Sequence, residues 1–202
     1  MRDSHELLAA AASEMAEHGY SAASLSAIAA RLGLTKGALV RQFPTKEHFA
    51  RGIITALRLS ITGEQERATA AYPRSGARAL IRFLIVIRER AKERPEVRAG
   101  IVLFSDRSAP SSEIAELGES WRGALQAMLE AAQRDGEIDP EVSPREIAEF
   151  LLMLNMGEGI VTTRWQAPES AGVSLGALRR SLRNIGIADV DALIEEVQAG
   201  LR

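Results

Sequence analysis

The sequence predicts an all-α protein in which a small N-terminal helix-turn-helix unit precedes a larger helical one. Three observations carry this. Apolar residues recur at helical spacing along nearly the whole chain, and helix-starting and helix-stopping residues punctuate it. No segment shows convincing strand alternation, and there is no internal repeat. The size is adequate too: 202 residues, 46% hydrophobic and 26% charged, fit a globular chain with a substantial core.

The first helix opens at Asp3, with Glu6 three residues later as a capping-box variant, and is expected to run to about His18 before Gly19 ends it. Residues 24–49, SLSAIAARLGLTKGALVRQFPTKEHF, hold the most informative pattern. Leu25, Ile28, Ala29 and Leu32 share a helical face, and Gly33 stands where the chain must leave that helix with positive φ. Leu34 can plug the core, and Thr35 is placed to cap a helix from Lys36 to Gln42. Small residues at the start of that helix let its backbone come close to another surface. Phe43 then returns to the core and Pro44 ends the helix. Such a pair of helices around a tight turn places its second helix in the DNA major groove.

The net charge of −2 does not advertise nucleic-acid binding. Even residues 1–50 balance, with Arg2, Arg31, Lys36, Arg41 and Lys46 against Asp3, Glu6, Glu14, Glu17 and Glu47. Position matters more than the total: from Arg31 to Lys46 every formal charge is positive. A local basic face suffices for phosphate contacts, and binding through it weakens with salt.

Thr45 is expected to cap a helix from Lys46 to about Ala70, and Tyr72-Pro73 with Ser75-Gly76 then break the pattern and separate the two units. A helix over about 77–94 contains FLIVI at 83–87, apolar on all sides and therefore buried. Pro95 restarts the chain in PEVRAGIVLF, a Ser/Pro loop covers 105–112, and a helix over about 113–134 stops at Asp135-Gly136. Ser143-Pro144-Arg145-Glu146 is the strongest helix start in the sequence. The helix it opens is apolar all round at FLLMLNM, 150–156, so it needs two partners: one is its own core, and a second subunit is a candidate for the other. Two shorter amphipathic helices follow, the last with a stripe of Val190, Leu193, Ile194 and Val197.

Other function classes find little support. There are no cysteines for disulfides or thiolate metal sites, and no apolar run reaches the roughly 20 residues of a membrane helix. The N-terminus, MRDSHELL, has no signal-peptide apolar core, so a cytoplasmic location is expected. His5, His18 and His48 lack metal-ligand companions, and no HExxH, phosphate-binding glycine loop or GxSxG occurs. No enzyme activity, metal or cofactor is expected.

The order helix, GYSAASLSAIAARLGLTKGALVRQFPTKEHF, long helical remainder resembles the TetR family of bacterial transcription regulators. The resemblance implies a homodimer, with a DNA-binding domain at 1–48 and a helical ligand-binding and dimerisation domain at 49–202. It implies repression at a palindromic double-stranded operator, relieved by a small effector. Ser24, Thr35, Lys36, Gly37, Ala38, Val40, Arg41, Gln42 and Lys46 become the DNA-binding set. The residues fit these roles. Ser24 and Thr35 can meet phosphate as well as cap, and Gly37 and Ala38 permit close approach to base edges. Lys46 sits at a helix N-terminus, a natural phosphate site. Taken singly, Ser24 and Thr35 also read as caps alone, and Lys46 as a solvated charge. Val40 and Gln42 depart from the tyrosine and histidine common in the family, so the usual contact set is altered, with Arg41 as an added cation. A helical ligand-binding or interaction protein of the same fold, with weak or no operator binding, is the alternative.

A narrower resemblance lies further on. RPEVRAGIVL at 94–103 and Trp121 within SWRGALQAMLEAAQRDGEIDPEVSPREIAEFL look like the γ-butyrolactone autoregulator receptors. The resemblance implies that Trp121 lines a pocket for a lipophilic signal, a γ-butyrolactone or a related furan or butenolide. Leu125 and Met128 share its face by i+4 and i+7 spacing, and Phe83, Ile87 and Phe104 are candidates from neighbouring helices. A space-filling core tryptophan is the competing reading of Trp121. Trp165 fits a pocket, a dimer contact or a loop shield, and Glu158 reads as a solvated glutamate.

Overall fold

The computed structural model describes residues 3–164 and 170–202. Among them the chain forms ten α-helices and no strand. These are α1 (Ser4–Ala22), α2 (Leu25–Arg31), α3 (Lys36–Val40), α4 (Lys46–Ala71), α5 (Gly76–Glu93), α6 (Pro95–Phe104), α7 (Ser111–Arg134), α8 (Pro144–Arg164), α9 (Ser170–Asn184) and α10 (Val190–Ala199). The predicted all-α class holds, and most boundaries fall within two residues of the sequence reading. None of the described helices is long and apolar enough to cross a membrane.

The signals that open the helices are local and work as expected. Asp3 accepts from the His5 N–H, Thr45 Oγ1 accepts from the His48 N–H at 3.3 Å, and Ser143 Oγ accepts from the Glu146 N–H. Gly19 interrupts α1 with φ 77° and ψ 172°, a backbone geometry that a side chain would resist, and a further turn reaches Ala22. The α1 axis therefore breaks at the predicted residue, but the chain stays coiled beyond it.

Two compact units divide the chain. The first comprises Met1–Ser60, Arg90–Gly118 and Gly159–Gln166; the second comprises Ile61–Glu89, Glu119–Glu158 and Ala167–Arg202. In the first, α1 packs on α6, and Leu7, Met15, Ile28, Leu39, Phe49, Ile53 and Leu57 are fully buried or nearly so. Gly100 of α6 lies so close to Leu57 of α4 that a Cβ there would stand 2.7 Å from the leucine Cδ2.

In the second unit the start of α5 is clasped by the end of α7. Glu137 accepts from the Ala77 N–H at 2.8 Å and from the Ser75 hydroxyl, and Asp135 accepts from the Gly76 N–H at 3.2 Å. Two carboxylates thereby satisfy N–H groups that the first turn of a helix leaves unpaired. The approach is so close that a Cβ on Gly76 would fall 2.0 Å from the Ala132 backbone nitrogen. Four side chains of FLIVI are buried as predicted, with Phe83 at 0% and Ile87 at 3% exposure, and Val86 is half-buried.

Helix α8 buries Ile147, Ala148, Leu151, Asn155 and Met156, and leaves Phe150 and Met153 open at 44% and 66%. Asn155 satisfies its amide locally by donating to the Leu151 carbonyl. Glu158 corrects the reading of a solvated glutamate. It lies mostly buried against Arg88 of α5, with guanidinium N–H groups donating to Oε2 at 2.9 and 3.0 Å. Trp165 lies outside the described residues.

Candidate nucleic-acid interface and internal pocket

Helices α2 and α3 are built by their caps. Ser24, in extended conformation, accepts from the Ala27 N–H at 3.1 Å; Thr35 does the same for Ala38 at 3.2 Å. Between them Gly33 (φ 64°) closes α2, the Leu34 N–H reaching the Ala29 carbonyl at 2.9 Å and the Gly33 N–H that of Ala30. Helix α3 then buries Leu39 and exposes Lys36, Gly37, Ala38 and, just beyond its end, Arg41. Val40 and Gln42 are half-buried. The helix ends two residues earlier than expected, at Val40, and Phe43 folds back to stack on Phe49 with ring centroids 4.3 Å apart. Ser24 and Thr35 are exposed, so each hydroxyl serves its cap from a solvent-facing position.

The four cations between Arg31 and Lys46 are not equivalent. Arg31 turns back to α1, where its Nε donates to the buried Glu14 at 2.7 Å and its terminal nitrogens to Glu17. Glu17, followed by Glu14, raises the guanidinium pKa, and the Arg31 hydrogen bond holds the Glu17 carboxyl below its usual range. Lys46 is also turned inward. Its ammonium donates to the carbonyls of Tyr20 at 2.7 Å and Ser21 at 3.1 Å, and stands 4.5 Å from the Tyr20 ring centroid. Lys36 and Arg41 remain as the exposed cations at α3, and among the described residues neither has an ion-pair partner. The basic face expected from sequence is therefore narrower than its charge count.

The backbone of Tyr20 has a second partner that sequence reasoning missed. Its N–H donates to Asp106 Oδ2 at 2.9 Å, from the loop between α6 and α7. Asp106 is held by its own loop, Oδ1 accepting from the Ser108 N–H at 3.0 Å and from the Ser108 hydroxyl at 2.6 Å. The Asp-Arg-Ser triplet marks such a turn, but nothing local indicates a partner 86 residues earlier. Burial pushes the Tyr20 phenol up, with Glu47 and Asp106 adding to the shift.

Among the pocket candidates, Trp121, Leu125 and Met128 lie on α7 within the second unit and are almost wholly buried. Phe83 and Ile87 of α5 are buried in the same unit. Trp121 is 1% exposed, and among the described residues its indole N–H has no hydrogen-bond partner. A buried donor without an acceptor costs about 1–3 kcal/mol, so a well-packed core ordinarily avoids one. Phe104 stands apart from this group. It belongs to the first unit, is half-buried, and lines a shallow depression with Asp106, Ile114 and Ala115.

Residues 7–53, which span α1 to the first turns of α4, match the family model described as bacterial regulatory proteins, tetR family. That match covers the helix-turn-helix segment of the chain. The chain is 29% identical over 154 residues to the A-factor receptor protein of Streptomyces griseus. The match takes in 76% of the chain and 52% of that protein, so it spans about half the length of the relative. Solved structures of similar fold include a γ-butyrolactone receptor described as ArpA-like, with TM-score 0.75 and 22% identity over 98% of this chain and 96% of that one. Another is CprB from Streptomyces coelicolor in complex with its operator sequence, with TM-score 0.74 and 22% identity over 96% and 94%. At these identities the structural likeness is one of fold. Residues 7–53 thus resemble the tetR family in sequence, and the chain resembles these solved structures in fold.

Proposed function

We propose that the chain is a ligand-responsive transcriptional repressor. Its segment 1–48 binds a palindromic operator in a homodimer, and its segment 49–202 binds a small lipophilic signal of the γ-butyrolactone, furan or butenolide kind. The observation that carries the reading is the surface of α3. One buried leucine anchors it, and Lys36, Gly37, Ala38 and Arg41 stand exposed around it. Small side chains allow the backbone to approach the groove, and the two cations suit phosphate or guanine contacts. Ser24 and Thr35 offer hydroxyls at the starts of α2 and α3, while Val40 and Gln42 make the contact set distinctive.

The effector reading is supported by the unpartnered indole of Trp121 and by the burial of Leu125, Met128, Phe83 and Ile87 in the same unit. A lactone or furan supplies the missing acceptor, and an acyl chain suits the apolar surroundings. The open side chains of Phe150 and Met153 on α8 support pairing with a second copy. Ligand and DNA then favour different conformations of the dimer, and α4 couples them. Linkage makes the effect reciprocal, typically about 1–3 kcal/mol.

A gel shift with DNA from upstream of the chain's own gene tests this, with and without an added γ-butyrolactone. A retarded band that the lactone releases is expected. Absence of any band preferred over unrelated DNA contradicts the repressor reading and favours the interaction-protein alternative.

A further inference from the structure

We infer that Lys46 and Asp106 are positioning residues that grip the Tyr20 backbone, one at its carbonyl and the other at its N–H, and thereby fix how the chain leaves α1 for the recognition helices. The consequence for operator affinity rests on the repressor reading above; the grip itself does not.

The argument starts from Gly19. Its positive φ breaks α1, so the short turn that follows ends with carbonyls that no continuing helix can satisfy. The Ala23 N–H returns to the Gly19 carbonyl, and the carbonyls of Tyr20 and Ser21 take the Lys46 ammonium instead. Lys46 is the first residue of α4, where a cation is disfavoured by its own helix dipole. Turned onto the C-terminal end of α1 it meets the opposite pole, two carbonyls and an aromatic face. That arrangement spends the side chain's donors on the protein rather than on a phosphate.

Asp106 completes the grip from the other side of the same residue, at the peptide that precedes it. Its carboxylate is oriented by Ser108, so the acceptor offered to the Tyr20 N–H is held in place before the contact forms. The segment after this loop is tied to α4 as well, through Arg51 and Glu113 at 3.1 Å. The α6–α7 segment therefore reaches the exit of α1 by a hydrogen bond and α4 by an ion pair. A displacement of that loop acts on the segment leading into Ser24 and α2.

The test uses the full-length protein and two readouts. The first is amide exchange at Tyr20, which requires neither DNA nor effector. Asp106→Ala is expected to speed exchange at that amide at least tenfold while the buried middle of α1 around Met15 keeps its protection. An unchanged Tyr20 amide overturns the grip. The second is the salt dependence of operator binding for Lys46→Met, with Lys46→Arg as the conservative variant and Lys36→Ala as comparator. Lys46→Met is expected to weaken binding at every salt concentration with the log–log slope kept, and Lys46→Arg to restore most of the affinity. A slope that falls as it does for Lys36→Ala makes Lys46 a phosphate contact and overturns its positioning role. If no variant binds operator, the repressor reading fails, and the Tyr20 amide still decides for or against the grip.

Discussion

The indole of Trp121 concentrates two competing demands in one side chain. Its ring fills buried space within the second unit, and its N–H finds no acceptor there. Truncation to alanine removes the ring together with the donor, and typically costs about 3–5 kcal/mol through the cavity left behind. Trp121→Phe separates the two demands. The protein is expected to lose less stability than with alanine, because most of the ring stays and the unpaired donor is gone, while release from DNA by a butyrolactone is lost. Normal release by the phenylalanine variant, measured by gel shift across a lactone titration, removes the indole from the pocket. Helical spacing made Trp121, Leu125 and Met128 legible as one face, since i, i+4 and i+7 positions coincide on any helix. Lys46 was not legible in that way. Its place at a helix start describes its own helix, whereas its carbonyl partners lie on another. Asp106 was hidden for the same reason.

At the scale of elements, the caps were readable and the close approaches were not. Ser24, Thr35, Thr45 and Ser143 each act within three residues, so sequence holds both partners. Gly76 reads in sequence as a breaker, yet in the structure it is the point where α5 meets α7 without room for a methyl group. Gly76→Ala is expected to destabilise the protein by at least about 3 kcal/mol, since the obstructing atoms are backbone and cannot rotate away. Gly123 provides the control within α7. It is exposed, and an added Cβ meets nothing within 4 Å, so Gly123→Ala should stabilise by about 0.5–1 kcal/mol. Denaturant unfolding of both variants measures the pair. Equal effects on stability would contradict the packing described for α5 and α7.

At the scale of the whole molecule, the apolar girdle of α8 was legible because FLLMLNM has no polar side to spare. One face of it is buried by the chain itself, and Phe150 and Met153 are left open. If that face pairs with a second copy, Met153→Glu places a charge where the contact forms. Sedimentation is then expected to show the wild type as a dimer and Met153→Glu as a monomer at micromolar concentration, with little change in secondary structure. A variant that remains fully dimeric moves the interface elsewhere. The ion pair of Glu158 with Arg88 could not be foreseen from this helix, because a glutamate between two glycines carries no sign of a distant partner.

The central claim is that α3 carries the chain onto DNA through a small set of exposed cations. Fluorescence anisotropy on labelled upstream DNA, titrated across salt for the wild type and Lys36→Ala, tests it most directly. Affinity should fall steeply with salt, and Lys36→Ala should flatten the log–log slope by about two per dimer, one phosphate for each head. Binding to that DNA no stronger than to unrelated sequence, or a slope that Lys36→Ala leaves unchanged, would contradict the account.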